Sequence, residues 1–436
     1  MKNNRIYKIL LLLPLATSLF FTTSCKKKNK FNYDNFFGMC EVCGELSNGV
    51  DYALTNDAIA DKAKAMKCKS FRIWISIKDL FNVDEEDNLT VNQFYYNKML
   101  QHCTKLKDAG VKNFLMMYTT FIYPSDYVPT TGYVVPDPVT EYSTYIRFLN
   151  LIGKASAKLA DCFPMATIVE PGNEPDFPYT ECIHKNGFTP GGSHTINESY
   201  IFTDDEKASI IDDMCWYAKK YLKDSGHKDV KVSIPGLTNV EDNDTPAFLD
   251  LMYSRIESKC LPAGQEYSDT NVSNYFDYLN WHPYTDNNQT STDDDWLARQ
   301  KKLYQVAIDH DDDGRPVLFS EFGSSDFGGE LGTTNFAETQ NFIANEIYIK
   351  GFNLIKRELP MVETVFCFRM FNLVHQQVSL DNYVQLGESN FGLFYNPDDP
   401  IIERQCKAKP AAKAIAKYFN GDDYDVSVLD SDYRVN

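Results

Sequence analysis

Eight short apolar runs, separated by amphipathic stretches of helical period, constrain this chain more than any other feature. The runs lie at 36–40, 70–75, 113–118, 166–169, 230–234, 278–281, 317–320 and 364–368. Short apolar runs of this kind read as strands buried on both faces of a parallel sheet. Between them, 57–68, 93–109, 141–162, 204–223, 245–259, 293–309 and 335–357 carry apolar residues at helical spacing. Strands alternating with helices give βαβ units. Eight such units fit a closed (β/α)8 barrel, one domain over 35–420, better than an open sheet. No Gly-rich turn follows the first run, so a dinucleotide-binding fold would lack its phosphate cradle. No Ser/Pro-rich linker and no internal repeat divides the body.

Hydrophobic residues make up 43% of the 436, which excludes a disordered chain. Lys and Arg number 43 against 61 Asp and Glu, a net charge of −18. The first thirty residues hold seven of those basic residues and no acid, so the rest carries −25. A body that acidic repels phosphate backbones, and nucleic acid is not among the expected partners.

The N-terminus reads as an address. Residues 1–5 are basic, 6–21 mostly apolar, and Thr22-Thr23-Ser24 precedes Cys25. This is the order of a secretory signal, and the apolar run is short for a spanning helix. A Cys directly after small residues resembles a bacterial lipoprotein signal. The resemblance implies that 1–24 is removed, that Cys25 is lipidated, and that 25–34 is a linker. Lys26, Lys27, Lys28 and Lys30 suit an anionic headgroup surface. The expectation is an exported protein anchored to a membrane, ending in a tail over 421–436.

Ten cysteines follow Cys25, too few for a disulfide scaffold in a body of this length. Cys40 and Cys43 have redox spacing, and no second such pair completes a zinc site. They read as a buried or locally bridged pair. The run Asp309-His310-Asp311-Asp312-Asp313-Gly314 begins like a calcium loop, but Ser320 stands where the closing Glu belongs, so it reads as a solvated turn. Cys182, His184 and His194 fit no standard metal spacing. No metal or other cofactor is expected.

Chemistry concentrates at two strand ends. Glu170-Pro171-Gly172-Asn173-Glu174-Pro175 closes the fourth run and Ser320-Glu321-Phe322-Gly323 the seventh. A barrel sets these ends across its mouth from one another, and functional residues gather on that face. Two carboxylates facing a sugar bond are what glycoside hydrolysis needs: one gives a proton to the leaving oxygen, the other attacks or stabilises the anomeric carbon.

These two motifs, in this segment order, resemble the clan A retaining glycoside hydrolases, of the family 5 and 39 kind. The resemblance covers essentially the whole chain after the signal. It implies Glu174 as acid/base, Glu321 as nucleophile and Asn173 as the hydrogen-bond partner of the sugar 2-hydroxyl. Trp281-His282-Pro283-Tyr284 looks like the clan's His-x-Tyr, which implies that Tyr284 holds Glu321 while His282 supports the acid/base or the sugar. Strand alternation puts Asn280, His282 and Tyr284 on one face. Arg72 resembles the clan's strand-two arginine, expected to keep Glu321 ionised. The segments 390–394 and 409–411 resemble the clan's closing stretch. Near 366–371, Phe371 or Phe368 could offer a ring face under the sugar, while Arg369 has no assigned counterpart. Tyr123, Tyr127, Tyr133, Phe177 and Tyr179 either stack on sugar rings or pack their loops down.

The expected function is retaining cleavage of a β-linked oligo- or polysaccharide. The competing expectation is an anchored barrel that captures glycans without cutting them. The sequence leaves the sugar, the linkage and the point of attack along the chain open.

Overall fold

The computed structural model describes residues 35–43, 46, 55–177, 183–188, 198–239, 244–258, 261–266, 268–285, 292–326, 336–373, 390–396 and 405–430. The signal segment, Cys25, the whole 25–34 linker, Tyr179, Cys182, His194 and the last six residues of the expected tail lie outside them.

The sheet strands are β1 (Phe37–Glu41), β2 (Ser70–Ser76), β3 (Asn113–Thr120), β4 (Ala166–Glu170), β5 (Lys231–Val232), β6 (Leu279–Trp281), β7 (Val317–Phe322) and β8 (Val362–Cys367). All pair in parallel, in the order β5-β4-β3-β2-β1-β8-β7-β6. Parallel bridges Ser233–Tyr278 and Leu237–Trp281 join the two ends and close the circle. Every strand coincides with one of the eight apolar runs. β5 keeps only two ladder residues because the chain then meets Pro235, which has no N–H to give, and leans across to β6.

The principal helices are α1 (Asn56–Ala65), α2 (Gln93–Asp108), α3 (Tyr142–Cys162), α4 (Asp204–Asp224), α5 (Thr245–Glu257), α6 (Asp294–Asp309), α7 (Phe336–Phe342, a π-helical stretch Ile343–Ile349, then Lys350–Glu358) and α8 (Pro410–Asn420). Their starts are written locally. Thr203 and Glu206 form a reciprocal capping box for α4, and Asp293 accepts from the Trp296 N–H at the head of α6. A two-stranded antiparallel hairpin, Phe81–Val83 with Leu89–Val91, interrupts the alternation between β2 and α2 and was not expected.

Inside the barrel, Leu115, Met117, Ile168, Leu318 and Phe366 pack as one buried cluster. Gly38 makes room for it: a Cβ there would fall 2.6 Å from the Phe366 ring. Truncating Phe366 to Ala would cost about 3–5 kcal/mol. Because strand side chains alternate, the next inward positions beyond this plug belong to polar residues: Arg72 on β2, Glu170 on β4, and Asn280 with His282 at β6. The apolar plug is therefore the floor of the site.

Residues 421–430, set apart by sequence as tail, pack against the body. The buried Lys62 ammonium donates to the Leu429 carbonyl at 2.6 Å, and Lys413 pairs with Asp430 at 2.8 Å. Burial pushes Lys62 down to about 8. Cys40 and Cys43 are both buried, and no disulfide joins them. Among the described residues no helix is long and apolar enough to cross a membrane.

Candidate active site

The site is built around Arg72, which is wholly buried. Its Nε and one terminal nitrogen donate to the two oxygens of Glu170 at 2.8 and 2.9 Å. That nitrogen also donates to Asn173 Oδ1 at 2.7 Å, and the other terminal nitrogen to Glu321 Oε1 at 2.6 Å. Glu170 takes two further bonds, from the Gly236 N–H and the Asn280 amide, each at 2.9 Å. A guanidinium presents donors in a fixed fork, so one side chain sets the spacing of three neighbours.

Glu174 arrives by a sharp turn. After Glu170 the chain passes Gly172 at φ 124° and reaches Glu174 at φ 44°. The left-handed region suits Gly172, which lacks a Cβ, but costs a residue such as Glu about 1–3 kcal/mol unless the surroundings hold it. They do: the Glu174 N–H donates to Gly236 O at 2.8 Å and its carbonyl accepts from the Phe177 N–H at 3.1 Å. The turn aims the Glu174 carboxylate at His282, whose Nδ1 lies 2.7 Å from Oε1. His282 Nε2 is 3.0 Å from Ser320 Oγ.

Glu321 reaches the same space through a bulge. Between paired positions Phe319–Val365 and Phe322–Cys367, β7 carries one residue more than β8. Strict alternation would turn one of two successive residues outward; the extra residue lets Ser320 and Glu321 both serve the site. Glu321 Oε2 accepts from Tyr284 Oη at 2.7 Å and lies 3.7 Å from His282 Nδ1. Single ligand atoms of Glu174, His282 and Glu321 all fall within 4.8 Å of one another.

The two carboxyls share a space but not an environment. Burial holds Glu174 above the usual carboxylate range, reinforced by the Glu321 charge and opposed by the His282 hydrogen bond. Burial pushes Glu321 the same way, but His282, Arg72 and the Tyr284 hydroxyl outweigh it and hold Glu321 below that range. Burial also works against charge on His282; the two glutamates outweigh it and raise its affinity for a proton. The two carboxyls are thus shifted in opposite directions, Glu174 toward holding its proton and Glu321 toward losing it.

The structure brings Arg72, Asn173, Glu174, His282, Tyr284 and Glu321 together. Phe371 stands apart. Its ring is fully buried against Phe394 and its N–H donates to Glu41, so it has no face to offer a sugar. The alternative, Phe368, lies beside Tyr284, Phe391 and Trp74, with ring centroids 6.4, 5.6 and 5.9 Å away. The Phe368–Arg369 peptide is cis. Tyr123 packs its loop down, its ring stacked with Tyr127 and Phe148. His184 is buried and bonded to Thr131. Asp312, in the expected solvated turn, pairs with Arg315 and Tyr253.

Sequence reasoning gave no role to Glu170, four residues before Glu174, or to Ser320, directly before Glu321. Two acids four positions apart at the end of β4 were the available signal for Glu170; a hydroxyl directly before Glu321 was the signal for Ser320. It also left Arg369 unassigned. Arg369 forms a buried ion pair with Glu41 at the ends of β8 and β1.

The sequence matches no family model and no curated protein. Solved structures do match in fold. A double mutant of the beta-glucosidase from Trichoderma harzianum superposes with a TM-score of 0.56 at 14% identity, over 89% of this chain and 99% of that one. A GH5-4 broad specificity endoglucanase from Clostridium acetobutylicum gives 0.52 at 13% identity, over 88% and 96%. A family 39 glycoside hydrolase from the gut symbiont Bacteroides cellulosilyticus WH2 gives 0.52 at 13%, with 87% of this chain covering 62% of that one. This chain therefore has the (β/α)8-barrel fold found in glycoside hydrolases of families 5 and 39.

Proposed function

We propose that this protein is a retaining glycoside hydrolase that cleaves a β-linked oligo- or polysaccharide, exported and held at a membrane by a lipid on Cys25. The observation that carries the reading is the pairing of Glu174 and Glu321: carboxylate oxygens within 4.8 Å, with proton affinities shifted in opposite directions. Carboxyls about 5–5.5 Å apart suit double displacement, whereas inverting enzymes hold theirs about 6.5–9.5 Å apart to admit a water between.

In the first step Glu174, protonated, gives its proton to the glycosidic oxygen as Glu321 attacks the anomeric carbon. The C–O bond to the leaving sugar breaks and a glycosyl ester on Glu321 forms. In the second step Glu174, now a carboxylate, takes a proton from water, which displaces Glu321 and restores both groups. Arg72 and Tyr284 hold Glu321 ionised and aimed. Arg72 also binds the oxygen of the Asn173 amide, which leaves the NH2 of that side chain free to donate to a sugar hydroxyl. Phe368 replaces Phe371 as the ring expected beneath the sugar.

The experiment is a screen of β-glycans with reducing ends as readout, followed by Glu321→Gln and Glu174→Gln on any glycan that responds. Each variant should lose at least about 10³-fold in kcat. Affinity for glycans without reducing-end release would instead favour a capture protein, and either variant at full turnover would overturn the residue assignment.

A further inference from the structure

Three convergent ligand atoms have a property that hydrolysis does not use. We infer that Glu174, His282 and Glu321 form a binding site for a single borderline divalent transition-metal ion, of the Zn2+ class, and that its occupancy shuts the mouth to substrate. The inhibitory half rests on the glycosidase reading; the binding half does not.

The geometry is close to what such an ion takes. Metal–ligand bonds of about 2.0–2.1 Å in a tetrahedral arrangement set ligand atoms roughly 3.3 Å apart. Here His282 Nδ1 lies 2.7 Å from Glu174 Oε1 and 3.7 Å from Glu321 Oε2, and all three atoms fit within 4.8 Å. Shifts of about an ångström in two carboxylates bring them onto the ion, and a water completes the fourth position. Among the described residues this is the one group of three such side chains that converges so closely.

Charge points the same way. Arg72 is matched by Glu170, which binds it through both oxygens. Glu174 and Glu321 bring two carboxyl groups to one buried space, and a dication that displaces the Glu174 proton is matched in charge by the pair. A hard cation such as Mg2+ or Ca2+ prefers six or more oxygens, so one imidazole and two carboxylates select a borderline ion.

One tautomer of the imidazole suits a metal, with Ser320 as its outer partner. With the proton on Nε2, His282 donates to Ser320 Oγ and turns the Nδ1 lone pair into the mouth. An outer partner of this kind fixes the ring and raises its basicity. Arg72 occupies Glu321 Oε1, and Oε2 keeps a lone pair beside the Tyr284 bond. The Glu174 side chain remains 20% exposed, so the ion has an entrance. Binding releases the proton that Glu174 would otherwise give to the leaving oxygen.

The test is calorimetric titration of the metal-stripped full-length protein with zinc chloride, repeated with cobalt(II) while recording the visible spectrum. The expected result is one ion per chain, a four-coordinate cobalt band, and both lost in Glu174→Gln. Ser320→Ala should bind about 10–100-fold more weakly. His310 faces Glu257 and Asp250 at the surface and is the rival zinc site, so His310→Ala should change nothing. No binding, a weak six-coordinate cobalt spectrum, or stoichiometry abolished by His310→Ala rather than Glu174→Gln would each overturn the inference. Zinc that binds as described to a protein that cuts no β-glycan would refute the function and leave the site. A β-glycanase indifferent to zinc would refute the site and leave the function.

Discussion

The Arg72 guanidinium and the Glu321 carboxylate meet at 2.6 Å, the first wholly buried and the second 8% exposed. Glu170 takes the rest of the same guanidinium at 2.8 Å, itself wholly buried. A buried pair of charges is weak evidence of net stability, but removing one partner strands the other. Arg72→Met should therefore destabilise the fold by about 3–5 kcal/mol, read by chemical denaturation. Arg72→Lys keeps the charge and loses the fork, so it should fold better yet drop kcat/KM by roughly 10²-fold through misplacement of Glu321. Arg72→Lys with unchanged kcat/KM would show that charge alone suffices.

The opposed shifts of the two carboxyls fix the sign of a pH profile. Glu321 must be ionised to attack, and its proton affinity is lowered, so the acidic limb of kcat/KM should fall below the ordinary glutamate range. Glu174 must be protonated to give its proton, and its affinity is raised, so activity should persist above that range and fall as pH rises through the shifted value. Glu174→Gln, assayed on a substrate whose leaving group needs no proton, should lose the basic limb and keep the acidic one. A basic limb that survives in that variant would assign it to another group.

Tyr284 contributes through one bond, 2.7 Å to Glu321 Oε2. A hydrogen bond to a charged acceptor is worth about 1.5–3 kcal/mol, and 1.36 kcal/mol is one pH unit. Tyr284→Phe should move the acidic limb upward by roughly one to two units. Folding stability should change by less than about 1 kcal/mol, since the ring keeps its contact with Phe391. An unmoved acidic limb would place the control of Glu321 elsewhere.

Cys25 can be tested apart from the barrel. If it carries a lipid, the full-length protein expressed in a bacterium should partition with membranes and into detergent phase, and Cys25→Ala should move it to the soluble fraction with catalytic constants unchanged. Membrane retention by the alanine variant would assign the attachment to the apolar leader instead.

How far the sequence carried these conclusions depends on where the information lies. The strands were legible because parallel strands buried on both faces must be apolar, whatever they pack against. Glu321 was legible because it follows such a run directly, and Glu174 because it stands in the short Pro-Gly-Asn-Glu-Pro turn that leaves another. Phe371 was misplaced because β8 ends at Cys367, and alternation gives no rule for side-chain direction beyond the strand. The bulge that turns Ser320 and Glu321 to the same side leaves no mark in composition, being a relation between β7 and β8. Glu170 was passed over because a buried charge declares itself only through its partner, Arg72, nearly a hundred positions earlier.

The same reasoning applies to Arg369. Its guanidinium pairs with Glu41, wholly buried at the end of β1, and Glu41 also accepts the N–H groups of Val42 and Phe371, each at 3.0 Å. This pair ties the loop after β8 to the loop after β1 and so fixes the backbone that presents Phe368 to the mouth. Arg369→Met should cost about 3–5 kcal/mol by removing the cation that faces buried Glu41, while Glu41→Gln with Arg369→Met should cost less than the single change. If the pair positions the ring, the double variant should raise KM with kcat little altered, because an interaction made equally in ground and transition states has been weakened. A double variant with wild-type KM and reduced stability would make the pair a fastener of the two loops with no part in holding sugar.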